Sequence, residues 1–131
     1  MSLKIDHISL SVTDLSSAEK FYDAIMPILG AKKVGQSANA LKYGVRNTPA
    51  THNHSYVTIF EVPNFTSSPS NHWCFRVNKR EKVDAFYAQG IANGGLDAGQ
   101  PRLRAEYHEG YYAAFLIDPA GNKIEAVCHS L

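Results

Sequence analysis

The stretch Asp6-His7-Ile8-Ser9-Leu10-Ser11-Val12 constrains this chain most, because it occurs twice. Sixty-five residues on, the chain reads Asn71-His72-Trp73-Cys74-Phe75-Arg76-Val77, which sets His7 against His72 and Val12 against Val77. The same offset pairs Phe21 with Phe86, Tyr22 with Tyr87 and Gly30 with Gly95. Self-similarity at a fixed spacing marks a structural unit used more than once. Side chains alternate across a strand with period 2. Ile8, Leu10 and Val12 therefore share one face of the first copy, and His7, Ser9 and Ser11 the other. In the second copy Trp73, Phe75 and Val77 oppose His72, Cys74 and Arg76. Each copy offers an apolar face to a core and a polar face led by a histidine. Packed about a pseudo-two-fold axis, the two imidazoles would reach equivalent places and begin a metal site.

Each copy opens a longer unit. Residues 4–12 read as a strand. Ser16 and Glu19 form a capping-box pattern, and Ala18, Phe21, Tyr22 and Ile25 follow at helical spacing. Pro27 is expected to kink or end that helix, with Gly30 closing the turn. Strands follow at 32–37, 41–45 and 55–62, the last two separated by a polar loop with His52 and His54. Pro and Ser over residues 64–69 mark a connector. The second unit repeats the order: strand 71–77, a helix over 80–93 carrying Val83, Phe86, Tyr87 and Ile91, a short strand near Asp97, a charged aromatic loop over 101–110, and strand 111–117. Asp118-Pro119-Ala120-Gly121 fits a type I turn before the last strand, 123–128. The pattern predicts an α+β fold: paired βαβββ modules, 1–63 and 70–131, forming one domain with a curved mixed sheet around a cavity and helices packed outside.

With 44% hydrophobic and 19% charged residues, the chain can bury a core, and a net charge of +1 gives no case for nucleic acid or an anionic membrane. No apolar run approaches the roughly 20 residues of a membrane helix, and no signal-peptide pattern opens the chain. The expectation is a cytoplasmic protein. Cys74 and Cys128 make no disulfide framework and read as free thiols.

The last strand supplies a third ligand candidate, Glu125, placed by the tight turn before it. Two histidines and one carboxylate form the facial set used for divalent iron, and also for manganese, zinc or nickel. The expectation is that His7, His72 and Glu125 converge on one point.

At these residues the chain resembles the vicinal oxygen chelate superfamily, which includes glyoxalase I, extradiol dioxygenases and the bleomycin resistance proteins. The resemblance covers nearly the whole length. It rests on Asp6–Val12 with its helix, on Asn71-His72-Trp73-Cys74-Phe75, and most specifically on Asp118-Pro119-Ala120-Gly121-Asn122-Lys123-Ile124-Glu125. It implies His7, His72 and Glu125 as ligands of a divalent metal (Zn, Ni, Fe, Mn or Co), a small-molecule substrate and a homodimer. Glyoxalase I takes a fourth ligand from its first module, for which Glu61 is the nearest candidate here; one residue of register decides its face. The implied activity is metal-dependent lyase or isomerase chemistry on a small oxygenated molecule. Ring-cleaving dioxygenase activity and non-catalytic binding of a drug or metabolite are the alternatives. Glu125, His108 and Tyr107 are the candidate catalytic residues, with a packed loop aromatic pair as the alternative for the last two. Arg76, Arg102 and Arg104 are either anion binders or solvated charge. His52 and His54 read as surface residues, and His129, near the chain end, is expected to fray.

Overall fold

The computed structural model describes residues 2–68 and 70–131; Met1 and Pro69, the latter within the expected 64–69 connector, lie outside the described residues. The order is β1 (His7–Val12), α1 (Leu15–Leu29), β2 (Lys33–Gln36), β3 (Ala40–Tyr43), β4 (Tyr56–Glu61), β5 (His72–Arg76), α2 (Arg80–Ala92), β6 (Leu96–Leu103), β7 (Tyr112–Ile117) and β8 (Lys123–Cys128). This is the α+β architecture that the repeat implies. The strands form two four-stranded mixed sheets, ordered β1-β4-β3-β2 and β5-β8-β7-β6. The second sheet copies the first position for position, including a parallel pair at one edge, β1 with β4 and β5 with β8.

Local chemistry moves several boundaries. Helix α1 begins earlier than Ser16-Glu19 suggests: Asp14 caps it, its carboxylate accepting from the backbone N–H and hydroxyl of Ser17. Starting there buries Leu15, and it frees Glu19 to pair with Lys33. Pro27 does not break the helix. It lies in the last turn, where it forfeits a single backbone bond, and the helix ends on Gly30 at φ 99°. Strand β6 is longer than expected and takes in Pro101, Arg102 and Leu103. It is an edge strand with register breaks at Asp97/Gly99 and Gly99/Arg102, where a proline is tolerated.

One core serves both sheets. Phe21, Tyr22, Ile25, Val83 and Phe86 are fully buried with Leu41, Ile59, Leu116 and Ile124. Helices α1 and α2 meet at Gly90: a Cβ there would lie 2.2 Å from Leu116 Cδ1 and 3.3 Å from Phe21 Cε1. Tyr87, Trp73 and Phe75 are only half-buried against that core.

The turn after β7 joins the halves. Buried Asp118 accepts from the Tyr22 hydroxyl of α1 and from Ala120 N, Asn122 N and Asn122 Nδ2. Asn122 Nδ2 also donates to Ser11 O of β1. The Asp-Pro-Ala-Gly-Asn sequence thus makes the expected turn and also ties the second sheet to the first strand and first helix. No helix among the described residues is long and apolar enough to cross a membrane.

Candidate functional site

Register decides which side chains can meet. In the second sheet Cys74 of β5 lies beside Glu125 of β8, and Glu125 lies beside Phe115 of β7. His72, Cys74, Lys123, Glu125, Phe115 and, one step before β7, Tyr111 therefore share the face away from the core. Glu125 is 2% exposed, and a carboxylate so buried needs partners. It has two: His72 Nε2 lies 3.1 Å from Oε1, and the Tyr111 hydroxyl donates to Oε2 at 2.6 Å. The His72 side chain is 44% exposed, so the group opens to solvent through the imidazole. Burial, and then the bond to Glu125, push the Tyr111 phenol above its usual range, which keeps it a proton donor. Cys74 lies beside Glu125 in register; burial of its thiol first and the Glu125 charge next raise it to about 12. At neutral pH it is a thiol and not a nucleophile.

A hollow of about 310 Å³ beside β5 is lined by His72, Trp73, Cys74 and Phe75 with Ile5, Ile8, Ser55 and Val57. Ile8 and Val57 belong to the apolar side of the first sheet, the side opposite His7. Within one chain His7 stands apart. It stacks on Tyr56 with ring centroids 4.8 Å apart, its Nδ1 lies 2.7 Å from Asp6 Oδ1, and it shares a separate hollow with Ser9, Lys42, Arg46, Thr58 and Phe60. Among the described residues no three His, Cys, Asp or Glu side chains are placed to hold one metal ion.

Glu61 lies on the other face. It sits beside Val12 in the parallel pair, with the apolar set, and its Oε2 accepts from Leu15 N at 2.8 Å. It satisfies a free N–H at the start of α1. The first-sheet counterpart of Glu125 is Thr58, which pairs with Ser9 as Glu125 pairs with Cys74.

The candidate catalytic loop residues surround Tyr111 and leave Glu125 to it. The Tyr107 and His108 rings pack on Tyr111 at 4.8 and 5.2 Å between centroids. His108 donates from Nδ1 to Glu109 O, and its Nε2 lies 2.9 Å from His129 Nδ1. His129, expected to fray near the chain end, is exposed but stacks on His108 and is anchored by it. Tyr111 itself was not among the expected site residues. Its signal was parity, since it stands two and four positions before Ala113 and Phe115. His52 and His54 bond carbonyls of their own loop region, at Thr48, Pro49 and Val45. Arg102 pairs with Glu106, Arg76 is exposed, and Arg104 is buried.

The family model for the Glyoxalase/Bleomycin resistance protein/Dioxygenase superfamily matches residues 4–126. A crystallised glyoxalase/bleomycin resistance protein from Albidiferax ferrireducens T118 is 32% identical; the match covers 95% of this chain and 98% of that one, with a TM-score of 0.79. A family enzyme from Burkholderia phytofirmans PsJN is 18% identical over 95% and 98% of the chains, TM-score 0.71. A bleomycin resistance determinant encoded on transposon Tn5 is 20% identical over 98% and 100%, TM-score 0.61. The last two show a shared fold. No curated protein matches the chain.

Proposed function

The chain belongs to the glyoxalase/bleomycin resistance protein/dioxygenase superfamily, and from that premise we propose that it is a glyoxalase-like lyase or isomerase acting on a small oxygenated molecule at the His72–Glu125 face. The observation that carries this reading is Glu125: a buried carboxylate held from both sides, by His72 and Tyr111, beside an accessible imidazole. Oε2 is engaged by the phenol and Oε1 by the half-exposed imidazole; a molecule lying over His72 and displacing that longer contact would present its carbon-bound proton to Oε1. Tyr111 fixes the orientation of the carboxylate, and general-base catalysis depends on that positioning.

A divalent metal (zinc, nickel, iron, manganese or cobalt) is what the superfamily resemblance implies. One chain falls short of the facial set, since it joins His72 to Glu125 and leaves His7 elsewhere; no step above passes through a metal. The homodimer reading repairs the shortfall. β1 and β5 are sheet edges, and Trp73 and Phe75 of β5 are only half-buried. A second copy set against those edges brings its own His7 to His72 and Glu125. The incomplete set in one chain also favours a second reading, a non-catalytic binding protein for a drug or metabolite.

Mixing two variants tests this. His7→Ala and His72→Ala should each lose stoichiometric metal. Unfolded and refolded together, they should recover about half the sites in mixed dimers, because one shared site then keeps all its ligands. If the mixture recovers none, or if either variant alone keeps its metal, the shared-site reading is wrong. A wild-type protein with no stoichiometric metal supports the binding-protein reading.

A further inference from the structure

Arg104 is 7% exposed and has no carboxylate within ion-pair distance among the described residues. Its Nε donates to Ala113 O at 3.3 Å and its Nη2 to Gln100 O at 2.8 Å, both neutral acceptors. Glu106 of the same loop is exposed and paired with Arg102, and it senses the Arg104 charge only from beyond ion-pair distance. A buried charge without a counter-charge is costly, yet the sheet makes room for this one. Gly99 lies beneath it, and a Cβ there would come 3.0 Å from both Arg104 Nη2 and Phe115 Cδ2. The guanidinium lies over the Phe115 ring at 4.9 Å, and Lys123 Nζ reaches the same ring at 4.8 Å. Lys123 likewise has no carboxylate partner among the described residues. His72 completes the ring's surroundings at 6.1 Å between centroids. Two like charges thus approach one neutral ring, on the face that carries His72 and Glu125.

We propose that the molecule handled at this face is a small organic anion, with a carboxylate or phosphate group docked on Arg104 and Lys123 beside Phe115. This rests on the reading of the His72–Glu125 face as the site and narrows its substrate class. The anion supplies a counter-charge in direct contact, which Glu106, paired with Arg102, does not. Phe115 holds the two cations in place by their attraction to its face.

The test uses full-length protein freed of metal with a chelator, so its outcome is independent of metal binding. Amide resonances are followed at low ionic strength during titration with lactate, with propane-1,2-diol and with inorganic phosphate. The diol shares lactate's carbon skeleton and hydroxyl but lacks its charge. At least one anion should shift Gly99 and Phe115 while the diol leaves them unmoved; lactate alone marks a carboxylate site and phosphate alone a phosphate site. Lys123→Gln should weaken anion binding by roughly tenfold, as expected for loss of one charged partner, and Arg104→Gln by at least as much. Lys20→Gln, on the exposed side of α1, should leave it unchanged. Equal binding of lactate and diol, failure of both anions to bind, or wild-type affinity in Lys123→Gln overturns the proposal. Lys123→Gln carries the test if Arg104→Gln does not fold.

Discussion

In the first sheet Thr58 stands beside Ser9; at the matching place in the second, Glu125 stands beside Cys74. The strand order around the two pairs is the same, so the difference is chemical and not topological. The first sheet's open face carries a histidine, hydroxyls and an aromatic stack. The second's carries a histidine, a buried carboxylate, a phenol that holds it, and cations around Phe115. The acid that the first sheet does possess, Glu61, faces the core side and satisfies the start of α1. A duplicated frame has kept its packing in both copies and concentrated its reactive groups in one.

The core should therefore respond alike in both halves, and most strongly. Phe21 and Phe86 are equivalent and fully buried, so Phe21→Ala and Phe86→Ala should each cost about 3–5 kcal/mol in denaturant unfolding. A loss well under 1 kcal/mol at either position would show that its helix is not seated on the core.

Next in size is the tie between the halves. Asp118→Ala removes the acceptor of four hydrogen bonds and leaves the Tyr22 hydroxyl buried without a partner. It should cost roughly 2–4 kcal/mol, and Tyr22→Phe clearly less, because Asp118 keeps its other donors. Equal losses in the two variants would place the weight on the tyrosine and not on the turn.

The smallest effect is nil at neutral pH. Burial, followed by the Asp118 charge, raises the Tyr22 phenol well above its usual value of 10, and burial and Asp23 raise Tyr43. Both contribute stability that is complete below pH 10. Above it the unfolded chain loses phenolic protons that the native state retains, so stability falls as pH rises. Tyr22→Phe should flatten that alkaline limb; a slope identical to wild type would mean that the phenol titrates normally when folded.

The fold was legible because its signals are local or periodic: two strand patterns, two aromatic pairs in helices and a fixed offset. The site was legible in part. Glu125 and His72 could be placed from alternation and a tight turn. Glu61 could not, since a shift of one residue changes its face and only the His7↔Tyr56 pairing fixes that register. The separation of His7 from His72 depends on how the sheets pack about α1 and α2, which no short window encodes. The Tyr22–Asp118 bond spans 96 positions, and the anchoring of His129 depends on a loop folding back on the chain end. Both are tertiary events. The Asp-Pro-Ala-Gly-Asn motif announced a turn, and its cross-links to Tyr22 and Ser11 emerge only once the halves are together.

The claim that the sheets share a frame but not a function is tested most directly by two matched substitutions. Glu125→Gln and Glu61→Gln each change one carboxylate to an amide of nearly the same shape, and metal content is measured on both proteins and on wild type after dialysis against zinc. The account predicts that Glu125→Gln loses stoichiometric zinc while Glu61→Gln retains it. Zinc retained in Glu125→Gln and lost in Glu61→Gln would contradict it.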